Sequence, residues 1–401
     1  MSLRKVRLAA MSRHDLSPRF DIRPTILFLI VFYLTVLARV IFSPLVLTIE
    51  SELGISHADS GSLFLIMSLG YSPMLLLSGF VSARIYHRGA IVISILLVGG
   101  AMLFVSLGSN LRLLRVGVFL VGVASGLYTA SGLTALVRIV PERHTGKAIG
   151  LHEVAPNLAT ITAPLIALIL LRRLSWRGIT IVISGACVLV GLLFLAFEKG
   201  SRFPGEPPRL RVVKVFFRDR SFWVTSSFFV LAGCAALGVY SMLPTYLVSE
   251  RGMSEVFSGT LISLSRFVGL PLVFTAGWLV DRVGYRLLLP VTVIGTALMT
   301  VLLGVLPTNV LPPAIVLQPL FAVTYFPAGL AALSRIGPPE KRNVAYSLVF
   351  PMTMVIGGGI YPYVLGLLGE SGRFYLGFII LGFVMVGAIP FLRLTRERGS
   401  R

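Results

Sequence analysis

Charge is scarce in this chain: charged residues fill only 13% of its 401 positions, whereas 56% are hydrophobic. A soluble domain of this length cannot hide so much apolar surface in one core, so lipid must solvate much of the chain. Cysteine is nearly absent, and Cys187 and Cys234 each stand alone in an apolar run, which indicates neither a disulfide framework nor a thiolate metal site. Acidic residues are few, 16 against 36 Lys and Arg, for a formal net charge of +20. Such an excess suits nucleic acid only when gathered on a soluble face. Here the basic residues punctuate long apolar runs, and no nucleic-acid partner is expected. The sequence also lacks a glycine-rich phosphate loop ending in Lys-Ser/Thr, a ligand cluster with metal spacing, and a nucleophile with its base. Enzyme activity, ATP-driven transport, a cofactor and a metal are therefore not expected.

What the chain has is long hydrophobic runs. About 20 mainly apolar residues carry a helix across the hydrocarbon core, and twelve segments qualify: 24–49, 58–83, 90–108, 114–138, 146–171, 178–197, 221–248, 256–280, 286–306, 310–334, 343–368 and 374–393. The runs are continuous rather than alternating, which disfavours a β-barrel and leaves helices as the spanning structure. The basic N-terminus precedes an apolar stretch too long for a signal-peptide core and without a small-residue cleavage site, so Pro24 opens the first true span.

With the N-terminus placed in the cytoplasm, 27 Lys and Arg fall on the cytoplasmic side and seven on the other, with Arg39 and Arg266 left inside spans. The bias predicts a multi-pass protein of the inner membrane with both termini cytoplasmic. The longest polar interval, residues 198–220, is rich in Pro, Gly and basic residues and reads as a linker. The expected division is a tail at 1–23, six-helix bundles at 24–197 and 221–393 joined by 198–220, and a tail at 394–401. An internal repeat supports it. SELGISHADSGSL from Ser51 aligns with SERGMSEVFSGTL from Ser249 at an offset of 198, which also pairs Pro73 with Pro271 and Gly79 with Gly277. GLYTASGLTALVRI, ending at Ile139, aligns with VTYFPAGLAALSRI, ending at Ile336, and so pairs Tyr128 with Tyr325.

After the eighth span stands GWLVDRVGYR, Gly277 to Arg286. It resembles the G-x-x-x-D-R-x-G-x-R loop signature of the major facilitator superfamily, and with twelve spans and a 6 + 6 repeat the resemblance covers nearly the whole chain. It implies an all-α membrane protein of two pseudo-symmetric six-helix bundles, a secondary transporter in which Asp281, Arg282 and Arg286 form a conformational latch. The first-half copy, GFVSARIYHR from Gly79, departs from the pattern, with Ala83 at the acidic position and Tyr86 at the second glycine. In the fifth span, Gly150, Ala159, Ala163, Pro164 and Ala167 resemble a small-residue and proline signature of drug/proton antiporters, with alanine replacing most of its glycines. Small residues at this spacing also serve plain helix packing.

Four ionisable residues fall inside spans: Arg39, His152, Glu153 and Arg266. A charge at the bilayer centre costs about 2.5 to 3.5 kcal/mol on insertion scales, so each is a candidate functional group. Arg39 and Arg266 stand near mid-membrane, on helices that line or border the central cavity in the family resembled. Two guanidinium forks suit a carboxylate or similar oxyanion. Pairing with backbone carbonyls, or snorkelling to an interface, is the other role open to them. Glu153 is a candidate proton carrier with His152 beside it, and Pro156 should bend the helix there. Tyr128 and Tyr325 are expected in the cavity wall, whereas Tyr33, Tyr240 and Tyr361 are weaker candidates for which ordinary packing is the favoured role. The function expected is proton-coupled symport of a small organic anion, a mono- or dicarboxylate, by a monomer in lipid. The alternative is proton-driven efflux of hydrophobic or cationic drugs.

Overall fold

The computed structural model describes residues 22–205, 216–333 and 342–394. The tails before residue 22 and after 394, the linker core 206–215 and the loop 334–341 lie outside the described residues. Among those described there is no strand.

Twelve helical spans follow one another. α1 runs as Ile22–Val40 and Phe42–Leu53. A single 50-residue element, His57–Ser106, holds two spans, α2 (57–85) and α3 (87–106), which meet at the one non-helical residue, Tyr86. α4 is Leu111–Ile139, α5 is Thr145–His152 followed by Val154–Leu170, and α6 is Trp176–Phe197. After the linker come α7 (Arg220–Glu250), α8 (Glu255–Val283), α9 (Tyr285–Val305), α10 (Pro312–Leu333), α11 (342–369) and α12 (Phe374–Ala388). The expected spans are all present, most of them a few residues longer. The expected break between the second and third spans is a sharp corner rather than a loop.

Helix starts are fixed by caps. Ser56 accepts from Asp59 N in a capping box, and Asn110, Ser175 and Ser254 accept from Leu113 N, Gly178 N and Phe257 N. Breaks are set by proline, which cannot donate to the carbonyl four residues back. α1 is interrupted at Ile41, three residues before Pro44, and α5 at Glu153, three before Pro156. α8 bends by 51° between Glu255–Leu272 and Thr275–Val283, beside Pro271. Three π-helical turns, Cys234–Gly238 and Tyr246–Glu250 in α7 and Ile356–Ile360 in α11, add further irregularity on the C-terminal side.

The repeat is visible in the backbone. Gly54 and Gly252, 198 residues apart, both turn through positive φ (62° and 66°) just before the capping residues Ser56 and Ser254. Tyr86 (φ 61°, ψ 163°) and Gly284 (φ 86°, ψ 139°) make the same corner. Glu52 meets the start of α6 through Trp176 Nε1 (2.6 Å) and Arg177, while Glu250 meets the start of α12 through Phe374 N (2.7 Å) and Tyr375 N (3.3 Å).

Leu69, Ile169, Leu189 and Phe383 lie exposed on the outside, as lipid-facing residues do. The N- and C-terminal helices meet closely at the end of the molecule away from the chain termini, here called the distal end. A Cβ on Gly61 of α2 would come within 2.6 Å of Pro362 O, and one on Gly366 of α11 within 2.3 Å of His57 O, so α2 and α11 touch backbone to backbone.

Candidate functional site

Arg39 stands on α1, and its guanidinium carbon lies 4.4 Å from the ring centre of Tyr71 on α2. Its Nε is buried without a hydrogen-bond partner among the described residues. Arg266, on α8, lies 4.7 Å over the ring of Tyr240 on α7, and its Nη2 donates to Ala236 O at 3.0 Å. Each arginine is thus partly shielded from water by an aromatic face, an interaction worth ~2 kcal/mol when desolvated. The two pairs mirror each other with the chain order exchanged: arginine on the first helix and tyrosine on the second in one half, the reverse in the other. Among the described residues neither arginine is paired with a carboxylate, so both keep their positive charge uncompensated by an acid.

The pairs belong to one interface. Ser43, one turn beyond Arg39 on the same face of α1, donates through Oγ to Tyr240 O at 2.9 Å. Tyr240 Oη donates in turn to Thr160 O on α5 at 3.0 Å. Proline explains why these carbonyls can accept. Pro244 has no N–H for Tyr240 O, and Pro164 has none for Thr160 O, so each freed carbonyl takes a side-chain donor from across the interface. The Ala236 carbonyl that receives Arg266 lies in the first π turn of α7.

His152 and Glu153 sit at the break in α5. His152 is 1% exposed, its ring stacked on Phe32 at 4.4 Å, with Nε2 3.0 Å from Tyr128 Oη and Nδ1 3.4 Å from Glu153 Oε1. The Glu153 side chain is 49% exposed, and Asn157 Nδ2 donates to the Glu153 carbonyl at 2.9 Å. The bend expected from Pro156 therefore puts an exposed carboxylate beside a buried imidazole.

Tyr128 and Tyr325 do not form a cavity surface in this conformation. Tyr128 is fully buried, and its hydroxyl donates to Phe28 O at 2.8 Å. Tyr325 is 1% exposed and packs edge-on against Phe229 and Phe326, with no hydrogen-bond partner for its hydroxyl among the described residues. Each ring lies across a glycine one turn on, Gly132 and Gly329. Asp281, Arg282 and Arg286 are exposed at the corner between α8 and α9, with Arg282 4.9 Å over the Trp278 ring. The first-half corner, lacking the acidic residue, is held by the start of the linker: Phe203 O and Ser201 O accept from the backbone of His87 and Arg88, and Gly205 N donates to Ser82 O. Arg88 Nε also donates to Glu198 O at 2.6 Å.

The sequence reading passed over Tyr71, Phe32 and Ser43, and held Tyr240 a weaker candidate with packing its favoured role. A tyrosine four residues before a proline carries a freed carbonyl, which was the available signal for Tyr240. Nothing in the sequence pairs Tyr71 with Arg39.

A twelve-span helical protein with a duplicated corner and uncompensated arginines between its halves has the architecture of a membrane transporter. The chain belongs to the Major Facilitator Superfamily, whose sequence profile matches residues 27–320 and 276–401. It is 24% identical over 376 residues to the cis,cis-muconate transport protein of Acinetobacter baylyi, covering 88% of this chain and 89% of that one. It is 22% identical over 361 residues to the multidrug resistance protein MdtL of Salmonella heidelberg, covering 87% and 89%. Among solved structures it resembles a D-xylose–proton symporter, with a TM-score of 0.74 at 16% identity over 94% of this chain and 98% of that one. The protein is thus a multi-pass membrane transporter of this superfamily.

Proposed function

We propose that the protein carries a small organic anion, a dicarboxylate before a monocarboxylate, by proton-coupled symport across the inner membrane as a monomer with both termini cytoplasmic. The observation that carries this reading is the pair of acid-free arginines flanking the Ser43–Tyr240 contact. A guanidinium with unused N–H donors in a low-dielectric site suits an oxyanion, and two such forks suit a substrate with two carboxylates. The relative named for cis,cis-muconate transport agrees with that chemistry.

In this reading the bundles 24–197 and 221–393 rock about the site, with 198–220 as the tether. With the distal end closed, the substrate reaches the site from the cytoplasm in this reading. Arg39 and Arg266 bind the carboxylates, and Tyr71 and Tyr240 hold the empty guanidiniums. Tyr128 and Tyr325 act from behind the wall, Tyr128 by fixing His152. Glu153 takes and releases the proton, with His152 as its buried neighbour. Asp281, Arg282 and Arg286 latch the cytoplasmic corner when that side closes.

A second reading, export of hydrophobic or cationic compounds, is favoured by the MdtL relative. Two like charges in a cavity of low dielectric oppose a cationic substrate. Melting of the detergent-solubilised protein separates the two, because a ligand that binds only the folded state raises Tm. The proposal expects cis,cis-muconate to raise Tm in the parent and not in Arg266→Ala. Stabilisation by cationic drugs but not by any carboxylate would refute it.

A further inference from the structure

The contacts of Tyr240 reach further than packing. Its ring lies under Arg266, its hydroxyl bonds α5 and its carbonyl receives α1, so one residue of the C-terminal helices touches two N-terminal helices and a candidate substrate ligand. Both hydrogen bonds use carbonyls that prolines have freed, and so can be released without unpicking the α-helical ladder of α5 or α7. The neighbouring turn, Cys234–Gly238, is π-helical, and Arg266 bonds its Ala236 carbonyl. This cluster lies at the inner edge of the distal closure, where α1 and α5 meet α7 and α8. A small cavity just beyond it is lined by Pro44, Pro164 and Pro244, with the buried Ser258 hydroxyl unpartnered there among the described residues.

We propose that Tyr240 is a positioning residue that couples Arg266 to closure of the distal end. With the site empty, the guanidinium presses on the ring and tethers Ala236 O, holding the Tyr240 hydroxyl on Thr160 O and its carbonyl in reach of Ser43. An anion that draws the guanidinium away removes that support, and the two bonds between the halves loosen. Occupancy is thereby converted into freedom of the distal end to open. The inference rests on the reading of Arg266 as an anion ligand only for its trigger. The clamp itself exists without ligand.

The test places spin labels at Leu107→Cys and Val310→Cys, at the distal ends of the N- and C-terminal helices, in a chain whose Cys187 and Cys234 are replaced by Ala. Distances between the labels are measured without ligand. The parent should give a short, narrow distribution. Tyr240→Phe, Ser43→Ala and Arg266→Ala should each raise the long-distance fraction about fivefold, the equivalent of one buried hydrogen bond. Tyr361→Phe, whose hydroxyl bonds Gly377 O within the C-terminal helices, should leave it unchanged. A parent-like distribution in Tyr240→Phe overturns the proposal, and so does one in Arg266→Ala. Arg266→Met, which keeps the bulk, substitutes if the alanine variant does not fold. Muconate that stabilises the parent yet leaves its distances unchanged also overturns it. Muconate that fails to stabilise the parent refutes the transport reading instead, while the ligand-free distances still decide the clamp.

Discussion

Tyr86 and Gly284 occupy the same corner of the two repeats, and only one of them is suited to it. A φ of 61° with ψ of 163° is a region that glycine visits freely and tyrosine does not, at a cost of about 1 to 3 kcal/mol. The linker start that bonds the backbone of His87 and Arg88 supplies part of what holds it there. Tyr86→Gly should therefore stabilise the protein by about 1 kcal/mol after the added chain entropy of glycine is deducted, read as a rise in Tm of the purified protein. Gly284→Ala should act in the opposite sense. No atom within 4 Å meets a Cβ there, so its loss of about 1 to 3 kcal/mol would be conformational alone. A fall in Tm for Tyr86→Gly, or no change for Gly284→Ala, would contradict this account of the corner.

At the scale of elements, the first and last helices of each repeat are tied by a glutamate. Glu52, at the distal end of α1, accepts from the Trp176 indole and the Arg177 guanidinium at the start of α6, whereas Glu250, at the distal end of α7, accepts from the backbone N–H groups of Phe374 and Tyr375 at the N-terminus of α12, where the helix dipole favours negative charge. Glu250→Ala should cost about 1 to 2 kcal/mol, as loss of a cap does, and Glu250→Gln less, because an amide oxygen still accepts. Equal Tm for Glu250→Ala and the parent would show that α12 needs no such tie. Much of the element pattern was legible in the sequence, because several apolar runs are bounded by a Ser, Asn or Gly, such as Ser56, Asn110, Ser175, Ser254 and Gly284, whose local chemistry needs no tertiary context. The break at Glu153 was legible for the same reason, through Pro156. Burial of Tyr128 was not, since its position depends on Phe28, Phe32 and His152 meeting it from other helices. The α2–α3 corner was read as an ordinary loop although Tyr86 stands at the second glycine position of the signature, because a tyrosine rarely adopts positive φ.

For the whole molecule, the proposed cycle takes the closed distal end and the proline-freed bonds around Tyr240 as one stage, with the exposed Glu153 beside buried His152 as its proposed proton carrier. Glu153→Gln should retain muconate binding while abolishing substrate-driven pH change in proteoliposomes. Unchanged proton flux would remove Glu153 from the coupling path. The twofold repeat was legible down to paired Glu, Gly and Pro residues, but the candidate site between the repeats is where they differ: Arg266 corresponds to Ser68, and Tyr71 to Gly269. Symmetry thus locates the site without specifying it. The measurement that tests the central claim most directly is uptake of labelled cis,cis-muconate into proteoliposomes by the parent, Arg39→Ala and Arg266→Ala. The account predicts saturable uptake by the parent and a fall of about ten- to a hundredfold in each variant, as expected for loss of a hydrogen bond to a charged group. Undiminished uptake by both variants would contradict it.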